Sequence, residues 1–103
     1  MGSEKRSTPR VPLSVPLKLR WSGSDGKVKE EQTVTEVLNA SGARFWLQGI
    51  LQLGMEVEVI NLNNKETARA RVAWAGEPET GHGQRVAIQF LTIKAAFWGS
   101  EPG

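Results

Sequence analysis

The chain has 103 residues, 39% of them hydrophobic and 23% charged, with eleven glycines and five prolines: material for one small domain of short strands and many turns. No apolar run approaches the roughly 20 residues of a membrane-crossing helix, and no basic-then-apolar leader opens the sequence, so a cytoplasmic domain without a membrane role is expected. The lack of cysteine excludes disulfides and thiolate chemistry. One histidine (His82) and one aspartate (Asp25) leave too little for metal cages or acid–base catalysis, so neither an enzyme nor a metal site is expected.

The formal net charge is +2, and it is unevenly spread. Within the first 20 residues Lys5, Arg6, Arg10, Lys18 and Arg20 face only Glu4. A basic end on a near-neutral body points to a local anion site and away from a nucleic-acid polymer, which needs a broad basic footprint. A solvated tail is the plainer alternative.

Residues 4–12 are polar, basic and broken by Pro9 and Pro12, which forbids a helix interior and predicts an extended arm over 1–12. A barrel domain is expected over 13–99 and a tail over 100–103. From Leu13 the period is two. Leu13, Val15, Leu17, Leu19 and Trp21 alternate with polar residues and Pro16, predicting a first strand that is bulged or at an edge near the proline. Residues 22–26 form a turn, Lys27–Leu38 a second strand, and Ala43, Phe45 and Leu47 mark a third. Met55, Val57, Val59 and Asn61 mark a fourth, followed by a tight hairpin signal at Asn63-Asn64. Thr67–Trp74 predicts a fifth strand and, after a Gly-rich loop over 76–83, Arg85–Leu91 a sixth.

Six short strands with turns between them predict an all-β fold, a small antiparallel barrel. At most one helical turn is expected, at Ala95–Trp98, packing Phe97 or Trp98 over a barrel opening. The four tryptophans are expected mostly to fill or cap the barrel. Trp46 and Trp74 fall out of phase with, or at the end of, their core faces, so one of them is expected at the surface.

Two stretches carry functional signal. Arg6 and Arg10 sit four residues apart on the proline-stiffened arm, and guanidinium forks match phosphate oxygens and the O6/N7 edge of guanine. The second stretch is Val37-Leu38-Asn39-Ala40-Ser41-Gly42-Ala43, between strands two and three. Asn39 and Ser41 can bond a ligand or their own turn there, and Gly42 permits close backbone approach.

An RxxxR arm followed by a strand ending in a D/N-x-S-x-x-G-like turn resembles the PilZ domain, a bacterial receptor for cyclic di-GMP. Gly42-Ala43-Arg44-Phe45, Val86-Ala87-Ile88-Gln89-Phe90-Leu91 and Phe97-Trp98-Gly99 add to the resemblance, which spans residues 5–99. It implies a six-stranded barrel on which Arg6 and Arg10 grip guanine and phosphate while Asn39, Ser41 and Gly42 complete the wall; the ligand is cyclic di-GMP, with no cofactor.

The second motif fits in two registers. One puts Asn39 and Ser41 at the D/N and S positions but Arg44 at the glycine. The other puts Gly42 at the glycine, Asn39 at the serine and Val37 at the D/N position. The buried apolar residue expected between the polar positions suits Leu38 better than Ala40, which favours the second. Val37 then lacks a polar contact worth about 1–3 kcal/mol, roughly 5- to 150-fold in affinity. The departure keeps open a divergent PilZ domain that binds no nucleotide and serves protein–protein interaction.

Overall fold

The computed structural model describes residues 14–92 and 96–99. The arm over 1–12, with Arg6 and Arg10, and the tail over 100–103 lie outside the described residues. Six strands occur: β1 (Pro16–Ser22), β2 (Val28–Asn39), β3 (Gly42–Leu47), β4 (Glu56–Asn61), β5 (Thr67–Ala75) and β6 (Gln84–Phe90). All pairings are antiparallel. The order β1-β2-β3-β6-β5-β4 closes through β1 on β4 into the barrel the alternation predicts. No helix occurs among the described residues, and Ala96–Gly99 makes a single turn in which Gly99 N–H donates to the Ala96 carbonyl.

Period-two alternation turns Leu17, Leu19 and Trp21, then Ala43, Phe45 and Leu47, then Val57, Val59, Ala70, Val72, Val86, Ile88 and Phe90 into the buried interior. Burying each Leu, Val or Phe fully contributes about 1.5–3 kcal/mol relative to leaving it exposed. The interior is filled by its own side chains.

Two buried amides fasten a plug at each end. Asn61 Nδ2 donates to the Phe97 carbonyl (2.8 Å), holding Phe97 against Phe90 and Trp98. At the other end Gln84 Oε1 accepts from Leu51 N–H (2.9 Å) while its Nε2 donates to the carbonyls of Leu51 and Gly76. The β4–β5 connection is longer than the tight hairpin expected at Asn63-Asn64. Asn61 Oδ1 accepts from Asn63 N–H and Asn64 Oδ1 from Glu66 N–H, and Lys65 takes a left-handed φ of 66°. Asparagine side chains that satisfy backbone donors stabilise this wider turn. Pro16 opens β1 opposite Val34, the strand position where a missing donor costs least, and its carbonyl accepts from Leu62 N–H.

Alternation slips twice. In β2, Thr35 pairs with Phe45 and Val37 with Arg44, leaving Glu36 as the extra residue of a bulge. In β5, Val72 pairs with Ile88 and Trp74 with Ala87, leaving Ala73 extra. The inward residue after Thr35 is therefore Leu38, and after Val72 it is Ala75, which packs against the core. Bulges bend a strand and re-aim the side chains that follow. Here they turn Glu36 and Val37 outward on one strand, and Ala73 and Trp74 on the other.

On the opposite wall Arg20 lies between Glu30 (2.7 Å) and Glu58 (3.0 Å). The hydrogen bond and charge of Glu30, aided by Glu58, push its pKa up from the ordinary value. Glu31 accepts from the backbone N–H groups of Gln48 and Gly49 and so fixes the start of the β3–β4 loop.

Candidate functional site

The two bulges face each other across the β3–β6 pair in one row. Val37 pairs with Arg44, Arg44 with Ala87, and Ala87 with Trp74. The next row toward the β2–β3 turn runs Asn39, Gly42, Gln89 and Arg71. At the centre of these rows stand Gly42, with no side chain, and Ala87, with a methyl group. The result is an open pocket of about 270 Å³ on the outer wall, lined by Val37, Asn39, Ser41, Gly42, Arg44, Ala73, Ala87 and Gln89 among others.

The β2–β3 turn is built from its own side chains. Asn39 Oδ1 accepts from Ser41 N–H (2.8 Å) and from Ser41 Oγ–H (2.9 Å). That leaves the Asn39 amide nitrogen without a hydrogen-bond partner among the described residues, available as a donor toward the pocket. The Ser41 carbonyl accepts from Phe90 N–H, tying the turn to the end of β6. Gly42 is demanded by contact: a Cβ there would stand 2.0 Å from the Ile88 carbonyl oxygen. No other residue fits at 42 without moving β3 off β6.

Asn39, Ser41 and Gly42 are thus gathered on one pocket wall, while Arg6 and Arg10 lie outside the described residues. Of the two motif registers, the one ending on Gly42 puts glycine where only glycine fits. The other would assign that position to Arg44, whose side chain is half-exposed on the pocket rim and paired with Glu36. Val37 lines the pocket and gives it an aliphatic patch.

Sequence reasoning missed the ionic cluster beside this pocket. Glu36 Oε1 lies 3.4 Å from Arg44 Nε and 3.2 Å from Arg85 Nε. Its Oε2 accepts from Arg85 Nη2 and from the Trp46 indole N–H, both at 3.2 Å. The contacts at Oε1 are ion pairs without hydrogen-bond alignment. The Arg85 guanidinium also lies over the Trp46 ring, 4.9 Å from its centroid. One carboxylate between two guanidiniums leaves the wall locally cationic. Cross-strand register brings these groups together, with Glu36 outward after the inward Thr35 and the bulge adding Val37 beside it, and no residue type in the sequence announces it.

Val15, which leads into β1, donates from N–H to Thr35 Oγ1 (2.9 Å), and its carbonyl accepts from Thr35 N–H (3.1 Å). The N-terminal side of the chain therefore enters the barrel two residues from Val37. His82 is exposed, its ring 6.1 Å from that of Trp46. Among the described residues no group of three or more His, Asp or Glu side chains is placed to hold a metal ion, and no described helix is long and apolar enough to cross a membrane.

Fold and wall define a small all-β domain with a packed interior and an open pocket on its outer face. The PilZ domain family model matches residues 4–97, and the chain belongs to that family of receptor and adaptor domains. Among solved structures it is similar to the Bacillus subtilis inhibitor of motility (MotI/DgrA), with a TM-score of 0.65 at 17% identity, over 90% of this chain and 46% of that one. The chain thus spans about half the length of that protein, and the likeness is one of fold. No curated protein matches the sequence.

Proposed function

We propose that this domain is a cytoplasmic receptor for cyclic di-GMP, with Arg6 and Arg10 closing over a nucleotide seated against Asn39, Ser41 and Gly42. The observation that carries the reading is the double hydrogen bond between Val15 and Thr35, which starts the basic arm beside the pocket. At about 3.3 Å per extended residue, position 10 can reach some 17 Å from Val15 and position 6 some 30 Å, enough for either to fold back over the wall. Guanidinium forks then meet phosphate and guanine edges, while the Asn39 amide supplies a donor from below. Engagement of the arm with the ligand is itself the signal. The output is passed to a protein partner.

Calorimetric titration with cyclic di-GMP, with GMP as control, tests this. Saturable binding of the native domain is expected, lost in Arg6→Ala and Arg10→Ala with little change in melting temperature. Affinity retained in both variants overturns the mechanism.

Val37 favours a second reading, a PilZ domain that has given up the nucleotide for a protein partner, since an aliphatic side chain stands where a hydrogen-bonding one would serve the ligand. On that reading the titration is silent and both arginine substitutions leave partner binding unchanged.

A further inference from the structure

The first half of β2 is the longest stretch, among the described residues, with a strand on one side only. Its register with β3 runs from Asn39 back to Thr35 and stops, while that with β1 continues to Val28. The cause is local. Thr33 Oγ1 donates to the Trp46 carbonyl, and Glu31 accepts from the N–H groups of Gln48 and Gly49. Both side chains lie on the inner face of β2, in register with Leu17 and Leu19, so they draw the end of β3 beneath β2 instead of alongside it. A Cβ at Gly49 would stand 3.1 Å from the Trp21 ring, so the chain passes close under the β1–β2 hairpin. Thr35 N–H donates to the Val15 carbonyl, on the β1 side. Backbone groups alternate sides along a strand, so Lys29, Glu31 and Thr33 also face β1. The N–H and C=O groups of Val28, Glu30 and Gln32 face the other way, where no strand stands among the described residues.

We infer that this edge pairs with the same edge of a second copy of the chain, antiparallel about a two-fold axis at Glu30. An open ladder is a template for another strand, and a two-fold contact requires a self-complementary surface. Charge selects both the occupant and the register. Lys29 and Glu31 share the inner face two residues apart. A two-fold axis at Glu30 therefore sets each Lys29 against Glu31 of the other copy, at non-hydrogen-bonded positions where side chains come closest. Val28, Glu30 and Gln32 then exchange backbone hydrogen bonds with Gln32, Glu30 and Val28 of the second copy. On the outer face Glu30 meets its twin, but each carboxylate already holds Arg20 at 2.7 Å and Lys18 at 4.0 Å. One step either way loses the fit. An axis at Glu31 opposes Glu31 to itself, and an axis at Lys29 opposes Lys29 to itself. Strands without this spacing of charge leave Lys29 and Glu31 without partners, so the edge that repels most chains accepts its own.

The test is sedimentation velocity of the native chain over a concentration series up to about 1 mM, where a reversible monomer–dimer equilibrium is expected. Gln32→Pro removes an edge donor that β1 does not use, so it should leave the chain monomeric with its melting transition kept. Lys29→Glu and Glu31→Lys each set like charges face to face, and each alone should sediment as a monomer. Mixed in equal amounts they restore both opposite-charge pairs and should form a dimer. Glu31→Lys also gives up the Gln48 and Gly49 contacts, so its melting transition is checked first; if that is lost, Gln32→Pro and Lys29→Glu decide. A native chain that stays monomeric throughout the series overturns the inference. So does a dimer that both Gln32→Pro and Lys29→Glu leave intact.

Discussion

The indole N–H of Trp98 donates to the backbone carbonyl of Asn39 at 2.8 Å. The same asparagine organises the β2–β3 turn through its side chain, so one residue joins the pocket wall to the C-terminal turn. Trp98 is further held by ring contacts with Phe90 (5.8 Å) and Phe97 (4.8 Å). Trp98→Phe keeps an aromatic ring and removes the donor. It should cost about 0.5–1.5 kcal/mol, a fall in melting temperature of roughly 4–8 °C per kcal/mol for a domain of this size. A thermal melt of the two proteins checks it.

Gly42→Ala should be far more damaging than its one carbon suggests. The added Cβ meets the Ile88 carbonyl oxygen at 2.0 Å, and that atom belongs to the β6 backbone and cannot swing aside. The expected cost is about 3 kcal/mol, the upper end of overpacking, or more. Ser41→Ala, beside it, loses one partly exposed hydrogen bond and should cost about 1 kcal/mol. Urea unfolding of both variants should rank them clearly.

Glu36→Gln removes the charge that Arg44 and Arg85 share. The side chain is partly exposed, so screening limits the loss to about 1 kcal/mol. The loss should shrink at high salt, where the native pairs are themselves weakened. Unfolding midpoints measured at low and high ionic strength test both statements.

Val37→Asn puts a hydrogen-bonding side chain on the wall where the second motif lacks one. The position is half-buried at the pocket edge, so the amide can reach the ligand while its outer atoms stay hydrated. On the receptor reading the variant should bind cyclic di-GMP roughly 5- to 150-fold more tightly. Calorimetry on this variant also probes whether a domain that had lost the ligand regains it.

The strands were legible because a barrel with a filled interior enforces strict alternation. Leu17-Lys18-Leu19-Arg20-Trp21 leaves no second choice of face, and each strand lies within a few residues of its predicted span. Gly42 was legible too, though its physical reason, the approach of Ile88, is a long-range contact. The bulges were not. An inserted residue shifts the phase by one, and in Thr35-Glu36-Val37-Leu38 the slip is masked because Val37 is as apolar as a core residue. Val72-Ala73-Trp74 hides its slip too, since Trp74 keeps core spacing from Val72; only its place at the strand end marked it, with Trp46, as a candidate for the surface, where Trp74 does stand. Glu36, Trp74 and Arg71 owe their places to that slip or to cross-strand register, neither of which composition or spacing encodes.

Closure of the barrel has a consequence for what this domain can recruit. Every described strand, β1 and β4 included, has a neighbour on both sides, although Val28–Val34 of β2 pairs with β1 alone. Outside that stretch a partner finds no open ladder to extend by lending a strand. Over the rest of the barrel, recognition falls to side chains on the wall or at the barrel ends, which discriminate between partners as a bare backbone ladder does not.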